Sequence, residues 1–298
     1  MNSSAENKKY VIITPARNEE AFIADTIQAV ISQALRPLRW VIVNDGSTDK
    51  TREIVEQYVK NYDFIRLVNL ERDGDRDFGR KAVAFSHGLA TLQNLDYEFI
   101  GNLDADITIA PDYYHNIIKY FATDPKLGVV GGIVYTKIGQ RFFTYDETLD
   151  SVAGAVQLFR RSCFEAVGGY IPLKLGGIDT VAEIKARMLG WTVKKLPDQK
   201  VIEKRRMGSP MASPLGIKLR EGRQFYSLGY SLFFFTMRCV YRSKDSPFII
   251  GSIASLYGFL ESFLRRRPVL PQKDIVTYLR NEQRQRLKRL PATLLGLK

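Results

Sequence analysis

The chain has 298 residues, of which 45% are hydrophobic and 26% charged, a balance typical of a globular protein with a substantial core. Its two cysteines, Cys163 and Cys239, are far apart, which excludes a disulfide framework and favours a reducing compartment. The net charge of +12 comes from the last third, because residues 1–199 carry 24 Lys and Arg against 26 Asp and Glu, whereas residues 200–298 carry 20 against 6.

The first hundred residues alternate between apolar runs and helical patterns. Residues 1–9 are polar, lack the apolar stretch of a signal peptide, and are predicted to be a disordered lead-in. The predicted strands that follow are residues 10–14, 40–43, 64–68 and the run that begins at residue 99. Three helices are predicted: one that ends near residue 33, one at residues 51–59 and one at residues 80–92. This order predicts parallel βαβ units and therefore an α/β fold.

The next hundred residues continue the alternation less regularly. One helix is predicted after Pro111 and up to about residue 121, and two more at residues 162–167 and 180–189. Strands are predicted at residues 129–135, 155–160 and 191–196, and a turn at Pro197 and Asp198 ends the last of them. Two prolines among small polar residues then predict a loop or linker. We therefore expect a catalytic domain at 10–208, a linker at 209–215 and a C-terminal region at 216–298.

Polar clusters follow three of the predicted strands. Asn18 and Glu19 follow the first strand, Asp45 the second, and Asp104 and Asp106 the fourth. Ligands of such sheets bind outside the carboxyl ends of the strands, so these side chains are expected to share a crevice. An Asp-x-Asp alone is also typical of a surface turn. In an extended chain, however, both carboxylates point to one side and repel unless a hard cation such as Mg²⁺ or Mn²⁺ lies between them.

Four segments together resemble the family 2 glycosyltransferases. They are residues 14–20 (TPARNEE), 43–49 (VNDGSTD), 79–82 (GRKA) and 103–106 (LDAD), in the order and spacing of that family. The resemblance implies an inverting, hexosyltransferase-type enzyme that uses a nucleotide-diphosphate sugar. It also implies the A-type glycosyltransferase fold, which is a Rossmann-like, mostly parallel sheet flanked by helices.

The resemblance also implies roles for single residues. The residues that would bind the nucleotide sugar are Pro15, Ala16, Asn18, Glu19, Asp45, Arg80, Lys81 and Asp104. Asp104 would in addition hold the metal together with Asp106, either Mg²⁺ or Mn²⁺. The family has an acidic pair before a helix, and its second acid is the catalytic base of inverting members. Here Ile178 replaces the first acid, so Asp179 is the predicted base, with Glu183, one helical turn later, as the alternative.

The last third of the chain contains clusters of basic residues and a long apolar run. Arg205 and Arg206 are candidates for contacts with donor phosphates or with the acceptor, or else belong to a solvated strand end. Residues 246–260 form an uncharged apolar run, and with Glu261 tolerated the run reaches residue 264. This segment either inserts in a membrane or packs in the core as a buried helix. The region as a whole is predicted to be a basic, mainly helical extension that contacts an anionic membrane peripherally.

The sequence therefore predicts a metal-assisted glycosyltransferase at the cytoplasmic face of the membrane, in polysaccharide biosynthesis. Its partners would be a nucleotide-diphosphate sugar and a lipid-linked or saccharide acceptor, and no nucleic-acid motif accompanies the basic charge. Two alternatives remain open: a sugar-phosphate nucleotidyltransferase, and a non-catalytic membrane-associated scaffold that keeps the fold. Neither the sugar, the base nor the acceptor is specified by the sequence, because a few pocket contacts decide them.

Overall fold

The computed structural model describes residues 8–71, 78–138, 141–144, 149–204, 213–244, 247–270 and 272–294. The chain divides into two compact units. The first comprises Met1–Lys174 with Ile178–Met207, and the second comprises Leu175–Gly177 with Gly208–Lys298.

A mixed sheet forms the centre of the first unit. In the described part of the chain its strands are β1 (Tyr10–Ala16), β2 (Arg39–Asp45), β3 (Ile65–Leu70), β4 (Phe99–Asn102), β5 (Ile107–Ile109), β6 (Leu127–Ile138), β7 (Arg141–Phe143), β8 (Leu158–Arg160) and β9 (Thr192–Glu203). The order is β3-β2-β1-β4-β8-β6-β9-β5, with β7 paired to β6. The pairs among β1 to β4 are parallel, as is β6 with β9.

Helices cover this sheet. They are α1 (Ile23–Ile31), α2 (Thr51–Val59), α3 (Arg80–Ala90), α4 (Tyr113–Thr123), α5 (Arg161–Val167) and α6 (Ile178–Met188). Strands β1 and β2 are buried along almost their whole length, as expected of parallel strands that are covered on both faces. Trp40 of β2 is fully buried, and its indole N–H donates a hydrogen bond to Thr14 Oγ1 of β1 at 2.9 Å. The α/β fold class is confirmed.

Two features around β9 differ from the sequence-based predictions. Strand β9 runs through Pro197 and Asp198, where we expected a turn. Its pairing with β6 is irregular there, because Leu196 faces Gly132 whereas Lys200 faces Ile133, which leaves a bulge of extra residues on β9. A bulge accommodates a proline within a strand because the ladder hydrogen bond is interrupted at that point. The short strand β5, which pairs with the end of β9, was not predicted.

The second unit is helical, as predicted. Its helices are α7 (Pro214–Ser227), α8 (Leu232–Tyr241), α9 (Ile250–Leu264) and α10 (Lys273–Leu294), with a 3₁₀ turn at Arg242–Lys244. Ser213 and Ser231 cap α7 and α8 through their hydroxyls. The core contains Phe235 of α8 and Phe259 of α9, whose rings stack 4.7 Å apart. In the described part of the chain, no helix combines the length and the apolar character needed to cross a membrane.

Helix α9 packs one face and exposes the other. Gly251, Ser255, Gly258 and Phe259 are buried, and Glu261 lies within 3.1 Å of the guanidinium groups of three arginines. Those arginines are Arg223, Arg265 and Arg267. The apolar run of the sequence therefore contributes to the core of this unit along one face only.

Candidate active site

The predicted carboxylates lie at or just after the carboxyl ends of β2 and β4. Asp45 is the last residue of β2, and Asn102 is the last residue of β4. Strand β1 lies between these two strands, so the two ends flank the end of β1. Asp104 and Asp106 belong to the turn between β4 and β5 rather than to an extended strand. The prediction that both residues lie in an extended strand, with their carboxylates on one side, is therefore wrong.

Two consecutive cations at the start of α3 bind two of these carboxylates. The guanidinium of Arg80 contacts both oxygens of Asp45, at 2.5 and 3.5 Å. The ammonium of Lys81 lies 2.5 Å from Asp104 Oδ1. Burial opposes the charge on Lys81, but attraction by Asp104, Asp179 and Asp106 outweighs it and raises the pKa of Lys81. A helix N-terminus disfavours positive charge, so these ion pairs offset a local electrostatic cost.

A short hydrogen-bonded chain connects the Asp-x-Asp turn to the predicted base. The amide nitrogen of Asn102 donates to Asp104 Oδ1 at 3.0 Å and also to the carbonyl oxygen of Gly154. The backbone N–H of Gly154 donates to Asp179 Oδ2 at 3.1 Å. Glycine is needed here because a Cβ on residue 154 would lie 2.7 Å from that same carboxylate oxygen. Asp104 and Asp179 are thus held by the two sides of one peptide segment.

Glu183, the alternative base, is buried behind this segment. It is 2% exposed, and its Oε1 accepts hydrogen bonds from Val152 N at 2.7 Å and from Gln157 Nε2 at 3.0 Å. Burial raises its pKa to about 7, and repulsion by Asp179 adds to the effect, while the bond from Val152 opposes it. This geometry suits a group that holds residues 152–157 in place, and Asp179 is the more exposed of the two carboxylates.

A further carboxylate, Glu203, lies beside the Asp-x-Asp turn. It ends β9 and pairs across the sheet with Ile107, the residue after Asp106. Its Oε2 accepts a hydrogen bond from Thr136 Oγ1 at 3.0 Å. Burial raises the pKa of Glu203 to about 7, with repulsion from Asp106 as the next cause. Glu203 was not predicted as a site residue, because basic residues follow it in the sequence.

The loops after β1 and β2 bind each other. Asn18 adopts a left-handed conformation, with φ of 54°, and its Oδ1 accepts from Thr48 N at 2.9 Å. The backbone N–H of Glu19 donates to Thr51 Oγ1 at 2.7 Å. Of the other residues predicted for this pocket, Pro15 and Ala16 pair with Val43 and Asn44 in the β1–β2 ladder. The polar residues of the two motifs therefore hold the two loops together beside the ends of β1 and β2.

The donor set suits a divalent cation that arrives with a phosphate ligand. Over the described ranges, no group of three or more His, Cys, Asp and Glu side chains is arranged to hold a metal ion. Asp104 and Asp106 supply two carboxylates, and Mg²⁺ commonly binds one or two carboxylates plus substrate phosphates and water. Arg205 and Arg206, the candidate phosphate contacts, lie outside the described residues.

Asn102, Gly154 and Gln157 are the other site residues that sequence reasoning missed. A buried asparagine at the end of an apolar strand was the available signal for Asn102, because a buried amide requires partners. Nothing in the sequence marked Gly154 or Gln157, since their partners are distant along the chain.

A family model described as glycosyl transferase family 2 matches residues 11–172, more than half of the chain. The chain belongs to glycosyl transferase family 2. The matched region of this family 2 chain contains Asp45, Asp104 and Asp106 but ends before Asp179.

Curated relatives of this family 2 chain are polysaccharide synthases. It is 31% identical over 170 residues to poly-beta-1,6-N-acetyl-D-glucosamine synthase of Staphylococcus epidermidis, which aligns 51% of this chain with 39% of that protein. It is 29% identical over 199 residues to the synthase of the same name from Staphylococcus aureus strain COL, covering 60% of this chain and 46% of that protein. The family 2 chain therefore spans less than half the length of these relatives.

Solved structures with the same fold support the architecture of this family 2 chain. The mannosyltransferase PcManGT from Pyrobaculum calidifontis, in complex with GDP-Man and Mn²⁺, aligns with a TM-score of 0.56 at 17% identity, over 97% of this chain and 83% of that one. TarS 1–349 from Staphylococcus aureus, in complex with UDP-GlcNAc, aligns with a TM-score of 0.55 at 19% identity, over 86% of this chain and 73% of that one. At such identities the likeness concerns the fold alone, and it matches the predicted A-type glycosyltransferase fold.

Proposed function

We propose that this family 2 chain transfers a sugar, with inversion, from a nucleotide-diphosphate sugar to a hydroxyl of a lipid-linked or polysaccharide acceptor at the cytoplasmic face of a membrane. The observation that carries the proposal is the connection from Asp104 through Asn102 and Gly154 to Asp179. In this proposal, one peptide segment positions both the carboxylate that would bind the donor, Asp104, and the candidate base, Asp179. The names of the relatives and neighbours support UDP-GlcNAc as the first donor to test, and GDP-Man as the second.

Donor binding is assigned to the strand ends. Asp45, held by Arg80, presents a carboxylate, and carboxylates accept hydrogen bonds from base N–H and ribose hydroxyl groups. Pro15, Ala16, Asn18 and Glu19 would form the rim of the same pocket. Lys81 would face the diphosphate beside Asp104, and Arg205 and Arg206 remain candidates for additional phosphate contacts.

Transfer requires a base and charge stabilisation. The acceptor hydroxyl must lose its proton as it attacks the anomeric carbon, and Asp179 would take that proton. Mg²⁺ or Mn²⁺ bound at Asp104 and Asp106 would neutralise the charge of the nucleoside diphosphate leaving group. Lys81 adds a second positive charge at the same place, and the raised pKa keeps it protonated at neutral pH. Glu183 keeps residues 152–157, and through Gly154 the base, in position.

Replacement of Asp179 tests the assignment. Asp179→Asn should lower the transfer rate by roughly 10²–10⁴-fold, the usual contribution of a general base, while donor affinity changes little. Gly154→Ala should also slow transfer, because its Cβ would contact Asp179 at 2.7–2.9 Å and displace it. The measurements are product formation from radiolabelled UDP-GlcNAc and donor binding by calorimetry.

The control is Asp198→Asn, which removes an exposed carboxylate on the bulge of β9 and should have no effect. Near-normal transfer by Asp179→Asn would refute the base assignment. An unmodified chain that binds membranes but neither transfers nor hydrolyses any nucleotide sugar would instead support the scaffold alternative. The family match favours a glycosyltransferase over a nucleotidyltransferase.

A further inference from the structure

The connection between α8 and α9 exposes a cluster of large apolar side chains, which we call the apolar tip. The apolar tip consists of Val240, Tyr241, Phe248, Ile249, Ile250 and Ile253. Each of these residues is between 60% and 72% exposed. They are brought together at one end of the helix pair, because the backbone N–H of Ile249 donates to the carbonyl oxygen of Ser243 at 2.8 Å. Soluble monomers rarely expose apolar patches of this kind without a partner.

The apolar tip is separate from the faces of α8 and α9 that pack in the core. On α8, Phe235 and Cys239 are buried, whereas the tip residues of that helix point away from them. On α9, Ser255 and Phe259 are buried, whereas Ile250 and Ile253 are exposed. Each helix thus already has its buried face, and the apolar tip is an additional apolar surface on the opposite side.

Charge indicates which partner covers the apolar tip. Residues 200–298 carry 20 Lys and Arg against 6 Asp and Glu. Arg242 directly follows Tyr241 of the tip and lines one cavity with Gly251 and Ser252, the residues after Ile250. At the other end of α9, away from the tip, the exposed Arg265 and Arg266 follow Leu264, which is 77% exposed. A second copy of this strongly basic unit would be repelled. Apolar side chains next to arginines are typical of surfaces that enter the headgroup region of anionic membranes.

We propose that the apolar tip inserts into the interface of an anionic lipid bilayer and anchors the chain there. The mode is interfacial, because α9 has 15 residues and is about 22 Å long, shorter than the ~30 Å hydrocarbon core. This inference rests on the proposed function in one respect, namely that the acceptor is located at a membrane. It resolves the alternative left open by the sequence, since one face of α9 packs in the core and the other contacts lipid.

Vesicle binding of the full chain tests the proposal. The probes are phosphatidylcholine vesicles with 30% phosphatidylglycerol and vesicles of phosphatidylcholine alone, measured by co-sedimentation. We expect the anionic vesicles to bind at least tenfold more strongly, and the binding to weaken as salt increases from 0.1 to 0.5 M. The double variant Ile250→Ser with Ile253→Ser, which changes no charge, should lose at least tenfold in vesicle affinity.

A matched control is the double variant Leu149→Ser with Leu189→Ser, which removes two apolar side chains of similar exposure from the first unit. It should bind vesicles as the unmodified chain does. A second measurement, tryptophan fluorescence, reports insertion of the tip directly and requires no loss of vesicle binding. In Phe248→Trp the added tryptophan fluorescence should shift to shorter wavelength with anionic vesicles, whereas that of Leu149→Trp should not.

Equal vesicle affinity of the Ile250/Ile253 variant and the unmodified chain would overturn the proposal. Dimerisation that this variant abolishes, in a chain that binds no vesicles, would also overturn it and assign the surface to a second copy. Transfer to a soluble acceptor is measured in parallel. Vesicle binding without transferase activity would refute the proposed function alone, whereas transferase activity without vesicle binding would refute the membrane anchor alone.

Discussion

At the scale of single residues, Glu183 combines burial with a fixed set of partners. Its Oε1 accepts from Val152 N and Gln157 Nε2, and Tyr170 in turn donates to Gln157 Oε1 at 2.8 Å. Burial raises the pKa of Tyr170, so its hydroxyl stays protonated and remains a donor. This network holds residues 152–157, and Gly154 of that segment contacts Asp179. Glu183 therefore influences the position of Asp179 although it lies behind the site.

The raised pKa of Glu183 predicts a pH dependence of stability. The ordinary value is 4.5 and burial raises it to about 7, so the folded state binds more protons than the unfolded state between these values. The free energy of unfolding should therefore fall as pH rises from 4.5 to 7, by up to about 3 kcal/mol from this group. Glu183→Gln keeps the acceptor oxygen without the charge, so it should flatten this dependence and be the more stable protein at pH 8.

The measurement is urea denaturation of both proteins at pH 5, 6, 7 and 8. Glu165→Gln is the control, because Glu165 is a 60% exposed side chain in an ion pair with Arg161. It should leave the pH dependence unchanged. A stability difference between Glu183→Gln and the unmodified chain that stays constant from pH 5 to 8 would contradict the argument.

At the scale of elements, helices α7 and α9 approach each other through glycine. A Cβ on Gly222 would lie 1.8 Å from the carbonyl oxygen of Ser255, and one on Gly258 would lie 2.1 Å from that of Leu219. Both obstacles are backbone atoms, so the helices would have to separate to admit a side chain. The second unit therefore depends on two positions without side chains.

Gly222→Ala should destabilise the second unit by about 1–3 kcal/mol or more, the usual cost of overpacking, even though alanine favours helix formation. Hydrogen exchange of the backbone amides of α7 and α9, followed by mass spectrometry, measures the effect locally. Gly216→Ala is the control on the same helix, because its Cβ would meet only the Ser213 hydroxyl, at 3.1 Å. Unchanged protection of α9 in Gly222→Ala would show that the helices can move apart at little cost.

At the scale of the whole molecule, the two units differ in charge and in the ligand proposed for each. The carboxylates of the first unit converge with Lys81 at the strand ends, and the positive excess lies in the second unit. In the proposed function an anionic donor binds where carboxylates are concentrated, and Lys81, Arg80 and a metal ion would supply the positive charge that offsets the repulsion. Donor binding should therefore depend on the metal.

Thermal unfolding measures that dependence. UDP-GlcNAc at about 100 times its dissociation constant, with Mn²⁺, should stabilise the protein by about 2.7 kcal/mol, and Tm should rise by roughly 5–10 °C. A chelator should remove this shift, and Asp106→Ala should abolish its metal-dependent part. GDP-Man with Mn²⁺ is the comparison donor. A donor-induced shift that persists at full size in the chelator would contradict metal-assisted binding.

Much of the first unit was predictable from sequence because its determinants are local. Helix α2 begins and ends at the predicted residues, since an Asp-rich turn precedes an amphipathic pattern of regular period. Buried parallel strands read as continuous apolar runs, which identified β1 and β2. The short strand β5 has only three residues and was missed because its existence depends on pairing with the distant end of β9.

The sequence by itself determined the alternation of strands and helices, the order of the motifs and the clustering of positive charge in the last third. These properties follow from side-chain periodicity and composition over short stretches. Only the tertiary structure decided that Asn102 and Gly154 join Asp104 to Asp179, that Glu203 lies beside Asp106, and that α9 has an exposed apolar end. Contacts between residues far apart in the sequence depend on how the elements pack, and local patterns do not encode that geometry.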